Sequence, residues 1–244
     1  MIDIKITIGH LYPDLLNLYS DRGNITALLC RLRWRGFEAD ARAYSLGDDI
    51  DFSALDIVLL GGGAEHEQAL ACKRLRELRD DFAGYVERGD VTLALCGGYQ
   101  LLGEYFPSGG TTAEGLNILD IRTENEPERF VGNVVAKSHL CDMPVVGFEN
   151  HSGRTYTGAH EPLGRLVAGR GNNGEDGREG VVYKNLIGTY LHGPLLPKNP
   201  QLCDWLLQKA VGNKGYRAAL EPLDDSVEIS ANRYISERFG GKSH

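Results

Sequence analysis

The stretch Ala94-Leu95-Cys96-Gly97-Gly98 sets a thiol at the end of a short apolar run, Val91 to Leu95, with a helix starting after it. A strand that turns sharply into a helix pushes the side chain at the turn out of the fold and demands small neighbours. The backbone N–H groups and the helix N-terminus that follow favour negative charge, which activates a thiol and can hold an oxyanion. The same residues also describe a buried cysteine beside a helix-capping glycine pair, so a nucleophile needs a base to go with it. Of the seven histidines, His10, His66, His139, His151, His160 and His244 lie in loop-like or polar stretches, where a solvated ring is the ordinary reading. His192 differs: it ends the apolar run Leu186 to Leu191, and Gly193-Pro194 stops that run. If this run is a strand parallel to the Cys96 strand, thiol and imidazole project from one edge of the sheet. Together they would form a Cys–His pair suited to acyl transfer.

The elements that must position this pair follow from hydrophobic period. Ile2, Ile4, Ile6 and Ile8 alternate with polar residues, as in a half-buried strand. A helix is expected over Ile25 to Trp34, a strand over Phe37 to Ala43, and a buried strand over Asp56 to Leu60, ended by Gly61 to Gly63. A long helical region, Glu67 to Arg88, precedes the Cys96 strand, and a helix over Tyr99 to Tyr105 follows it. This order predicts an α/β fold with a mostly parallel central sheet flanked by helices, which binds ligands beyond the carboxyl ends of its strands. Both glycine clusters fall at such ends. Extra short strands are expected in the second half: Ile118 to Arg122, Phe130 to Ala136, Val145 to Phe148, Gly180 to Tyr183 and Leu186 to Leu191. Gly169 to Gly180 reads as an exposed loop or hairpin turn. Helices are expected over Leu202 to Val211 and Asp225 to Phe239, before a loose GGKSH tail. Without repeat or linker, residues 1–244 read as one domain.

Composition excludes several function classes. The chain has 42% apolar and 25% charged residues and a net charge of −8, a poor match to sequence-independent nucleic-acid binding. No apolar run reaches the roughly 20 residues of a membrane span, and the N-terminus lacks a signal-peptide layout, so a cytoplasmic protein is expected. The five cysteines are scattered without a C-x-x-C pair, which argues for free thiols and against a zinc site. Cys30, Cys72 and Cys203 read as small buried hydrophobes in helices, and Cys141 is uninformative.

ALCGGYQLLG followed by GTYLHGP resembles a class I glutamine amidotransferase domain of the cobyric-acid-synthase-like branch, a flavodoxin-like fold. NLYSDRGN (17–24), GGGAEHEQAL (61–70), VGFENHSGRTY (146–156) and GNNGEDGREGVVYKNLIGTYLHGPLLPKNP (171–200) narrow the resemblance. It becomes one to the glutaminase subunits that serve amidation of the D-glutamate of lipid II, and it covers about residues 1–212. The resemblance implies that Cys96 attacks the side-chain amide of free glutamine and that His192 activates the thiol and protonates departing ammonia. It also implies that N–H groups at Gly97 and near Gly62 and Gly63 hold the oxyanion. Arg129 matches the family's arginine for the glutamine α-carboxylate, a natural bidentate contact. Gln68 is a weaker candidate near the oxyanion loop and equally fits a helix surface.

Many relatives place a glutamate two residues after the histidine; here Pro194 stands there. Another carboxylate must then orient His192, and a partner subunit is one source. The chain carries no G-x-x-x-x-G-K-[ST] phosphate loop, so no cofactor and no metal are expected in it. The resemblance assigns ATP and Mg²⁺ to a separate MurT-like subunit of the Mur-ligase family, in a heterodimer that meets lipid II at the inner face of the membrane. Two alternatives stay open: a glutaminase serving another acceptor such as a corrin-type acid, and a non-catalytic glutamine-binding subunit.

Overall fold

A computed structural model describes residues 4–18 and 21–241. Ile2 of the N-terminal run, Tyr19 and Ser20 of NLYSDRGN, His244 and the end of the GGKSH tail lie outside the described residues. In chain order the first half holds β1 (Lys5–Leu11), α1 (Arg22–Trp34), β2 (Glu38–Tyr44), β3 (Ile57–Leu60), α2 (Glu65–Glu77), α3 (Arg79–Glu87), β4 (Val91–Leu95) and α4 (Gly97–Leu101). The second half holds β5 (Tyr105–Ser108), β6 (Thr111–Glu114), β7 (Arg122–Lys137), β8 (Val145–Tyr156), β9 (Gly164–Ala168), β10 (Arg178–Glu179), β11 (Val181–Tyr183), β12 (Leu186–Thr189), α5 (Pro200–Asn213) and α6 (Ser226–Gly240).

The main sheet has six strands in the order β11-β12-β4-β3-β1-β2, parallel except for the antiparallel edge strand β11. Alternate residues of one strand face opposite layers. Ile57, Leu59, Leu93 and Leu95 share a core with Leu28 and Leu32 of α1 and Leu202 and Leu206 of α5. Val58, Leu60 and Ala94 share the other with Ala71 and Leu75 of α2 and Phe82 and Tyr85 of α3. Each large aliphatic side chain so buried contributes about 1.5–3 kcal/mol before chain entropy is counted. A four-stranded antiparallel sheet, β10-β9-β7-β8, and a β5-β6 hairpin complete the fold.

The expected α/β sheet is present, with corrections. β1 is not half-buried: it is buried on both faces from Ile6 to Leu11, because helices cover both sides of a central strand. The long helix breaks at Leu78, giving α2 and α3. The helix after Cys96 spans Gly97–Leu101, and Tyr105 already belongs to β5. Residues 118–121 precede strand β7 rather than form one, while β7 and β8 run far beyond their apolar centres. The glycine-rich segment is only partly exposed: Asn172 and Glu179 are fully buried. Their amide and carboxylate satisfy backbone groups, which periodicity does not register.

Candidate active site

Every central element of the site leaves the carboxyl end of a parallel strand. Asp21 follows β1, Gly61–Gly63 follow β3, Cys96 follows β4, and His192 lies just beyond β12. Cys96 sits at φ +47°, a conformation that side-chain-bearing residues rarely adopt. Its N–H donates to Thr189 O (2.8 Å), and Gly98 N–H donates to Gly61 O (3.1 Å), so neighbouring strand ends hold the turn. A Cβ at Gly98 would stand 2.5 Å from Leu60 O, which excludes any side chain there.

β12 pairs with β4 in parallel, with Thr189 opposite Leu95, so His192 does emerge at the same sheet edge as the thiol. Its backbone is fixed from the other side by an antiparallel bridge to β8: His192 N–H donates to Phe148 O (2.9 Å), and Phe148 N–H donates to His192 O (3.4 Å). Gly62 lies between the two side chains. A Cβ there would stand 3.1 Å from His192 Cε1 and 3.2 Å from Cys96 Cβ.

A carboxylate of this chain stands beside the histidine. Asp21, fully buried, places Oδ1 3.5 Å from His192 Nδ1, and its Oδ2 accepts the Gly62 N–H (2.9 Å). Sequence reasoning missed it because Asp21 looks like an ordinary helix N-cap. In fact its side chain makes no capping bond to α1. Burial pulls the His192 imidazole down, but the Cys96 and Asp21 charges outweigh it and raise it well above the ordinary histidine value. Of the expected glycines, Gly62 has its N–H bonded to Asp21, while Gly63 and Gly97 lie close together: a Cβ at Gly97 would stand 3.3 Å from Gly63 N.

A cavity of about 250 Å³ opens beside the thiol, and Gly63, Gln68, Cys96 and Arg129 all line it. Arg129 sits where β7 shifts register against β8, between Asn125 and Phe130. Its Nε donates to Asn150 Oδ1 (2.6 Å). Gln68 is buried rather than on a helix surface, and its Nε2 donates to Gln100 Oε1 (3.0 Å). Gln100 Nε2 donates to Tyr190 Oη (2.9 Å), whose hydroxyl meets Thr155 Oγ1 at 2.6 Å. His10 and His151 are buried, not solvated. The His151 ring stacks on Tyr190 with centroids 3.6 Å apart and lines the same cavity. Gln100, Asn150 and His151 carried only motif-level signals: the first within the elbow, the others within GFENH.

A crystal structure of a glutamine amidotransferase from Thermotoga maritima superposes over 97% of this chain and 99% of that one, with a TM-score of 0.51 and 14% identity, a likeness of fold. Lipid II isoglutaminyl synthase (glutamine-hydrolyzing) subunit GatD of Staphylococcus aureus is 44% identical over 96% of each chain. The GatD subunit of Streptococcus pneumoniae is 38% identical over 86% of this chain and 82% of its own. Cobyric acid synthase of Rhizobium leguminosarum is 31% identical over 75% of this chain but only 38% of its own length. The family model of the CobB/CobQ-like glutamine amidotransferase domain matches residues 7–200, a span that holds Asp21, Gly61–Gly63, Cys96, Arg129 and His192, and to that family the chain belongs.

Proposed function

We propose that this chain is the glutaminase subunit of a lipid II isoglutaminyl synthase. It hydrolyses free L-glutamine and passes ammonia to a MurT-like, ATP- and Mg²⁺-dependent ligase subunit. That subunit amidates the D-glutamate of the lipid II stem peptide. What supports the glutaminase is that Cys96 lines a cavity shared with Arg129, while the buried His192 stands near the thiol across Gly62 and Asp21 stands 3.5 Å from His192 Nδ1. The observation that carries the acceptor is the end-to-end match to the Staphylococcus aureus subunit, at 44% identity.

Arg129, held by Asn150, takes the glutamine α-carboxylate. The Cys96 thiolate attacks the side-chain amide carbon, and N–H groups of Gly63 and Gly97 hold the oxyanion. The C–N bond breaks as the His192 imidazolium gives its proton to the leaving nitrogen, which departs as ammonia. The neutral imidazole then takes a proton from water; the hydroxide attacks the thioester, the C–S bond breaks, and glutamate leaves. Asp21 holds Nδ1 and offsets the imidazolium charge in both halves of the cycle.

The test is nitrogen tracking. With the ligase partner, ATP, Mg²⁺ and lipid II, amide-labelled [¹⁵N]glutamine should place its label in the lipid II carboxamide, and Cys96→Ala should abolish the transfer. Label that reaches a corrin-type acid and not lipid II would refute the acceptor while leaving the glutaminase standing. Among the described residues no helix is long and apolar enough to cross a membrane.

A further inference from the structure

The last helix, α6, lies beyond the span that the family model matches. The one side chain it buries fully is polar: Asn232, 1% exposed. Helices usually dock through an apolar stripe, and a buried carboxamide is tolerated only with its partners satisfied. Asn232 Nδ2 donates to Lys198 O (2.9 Å), Pro144 O (3.0 Å) and Asn199 Oδ1 (3.2 Å). Asn199 is itself a clamp. Its Nδ2 donates to Val146 O and Leu195 O, both at 2.8 Å, and its Oδ1 accepts the Val146 N–H at 2.8 Å. The start of the helix is pinned separately by Arg31, 4% exposed, whose guanidinium forks between Asp204 of α5 and Asp225.

These bonds converge on two pieces of backbone. One is segment 193–199, which leads directly away from His192; the other is residues 144–146, two residues before the Phe148 that bridges to His192. We propose that α6 is a working part of the active site: Asn232 is a positioning residue that, through Asn199, locks the segment after His192 and so fixes where the imidazole stands relative to Cys96. This rests on the reading of His192 as the acid and base of glutamine hydrolysis. Misplacing a catalytic group by about 1 Å can lower a rate by about 10²-fold, so a clamp seated far from the thiol reaches the chemistry.

The test compares Asn232→Ala with Tyr234→Ala, an exposed position on the same helix, in the full chain with its partner. Active sites are counted by labelling with 6-diazo-5-oxo-L-norleucine, and kcat is expressed per labelled site, so unfolded protein does not enter. Asn232→Ala should lower kcat at least about tenfold with KM changed less than about twofold. It should also slow alkylation of Cys96 by iodoacetamide at a fixed neutral pH by at least about threefold, because the imidazole is no longer held beside it. Tyr234→Ala should leave both readouts unchanged. A kcat per site within about twofold of the parent, with the same alkylation rate, overturns the proposal. If Asn232→Ala does not fold, Asp225→Asn loosens the same helix at its other end; a fall in kcat per site supports the proposal, and an unchanged value overturns it. If the parent itself releases no glutamate, the glutaminase reading has failed, and the alkylation rate still decides the role of Asn232.

Discussion

Asp21→Asn should disable the chemistry while leaving the oxyanion loop in place. The carboxylate stands 3.5 Å from His192 Nδ1, and both groups are buried. At an effective dielectric of about 20, two unit charges at that separation attract by about 5 kcal/mol. The asparagine side chain keeps a dipole and can still accept the Gly62 N–H through its carbonyl oxygen, so part of this survives. A loss of about 3–4 kcal/mol of transition-state stabilisation remains, or about 10²–10³ in kcat/KM. Asp21→Ala should be worse, because it also releases Gly62. The assay is glutamate release coupled to glutamate dehydrogenase, with active sites counted by 6-diazo-5-oxo-L-norleucine labelling and rates followed across pH. Activity of Asp21→Asn within about threefold of the parent, with an unshifted pH profile, would refute the reasoning and hand the orienting role to another carboxylate.

Gly62→Ala should fold but lose at least about tenfold in kcat, since its Cβ would crowd His192 Cε1 at 3.1 Å and Cys96 Cβ at 3.2 Å; circular dichroism and turnover of the same sample check both halves. Arg129→Ala should raise KM for glutamine by about 10²-fold while labelling of Cys96 by a small neutral alkylating agent stays at the parental rate. Burial pushes the Glu179 carboxyl up from 4.5 to about 7, so the folded state holds its proton more tightly than the unfolded chain between those values, and stability is lost as pH rises through them. Glu179→Gln keeps an acceptor for Thr189 Oγ1 and Tyr190 N–H, so Tm should rise at pH 8 relative to the parent and change little at pH 5, as thermal unfolding at the two pH values would report.

Much of the scaffold was legible because its strands are short, continuous and apolar. Ile57–Leu60 and Val91–Leu95 can sit only in a sheet covered on both faces, and the glycines after them mark the strand ends where a site forms. Cys96 and His192 were legible for the same reason: each terminates such a run. Asp21 was not, since an aspartate before a helix has a commonplace explanation, and only the fold brings it to a histidine 171 positions downstream. The antiparallel sheet was half-read. The polar stretch Arg122 to Asn125 extends β7 through backbone pairing with β8, across a register shift that reaches to Phe130, and no side-chain pattern announces it. The glycine-rich segment misled because Asn172 and Glu179 are polar yet fully buried, their side chains bonded to backbone and to Thr189. Asn232 was hidden by the same mechanism, a carboxamide doing the work usually given to leucine.

The most direct measurement is glutamate release from L-glutamine by the purified chain alone and with the proposed ligase partner, with Cys96→Ala as the blank. Because the carboxylate that stands 3.5 Å from His192 Nδ1 belongs to this chain, the chain alone should already release glutamate in a Cys96-dependent way, and the partner should raise the rate without being required. No Cys96-dependent release in either state, from folded protein, would contradict the glutaminase; release only with the partner would contradict the assignment of Asp21 as sufficient to orient the histidine.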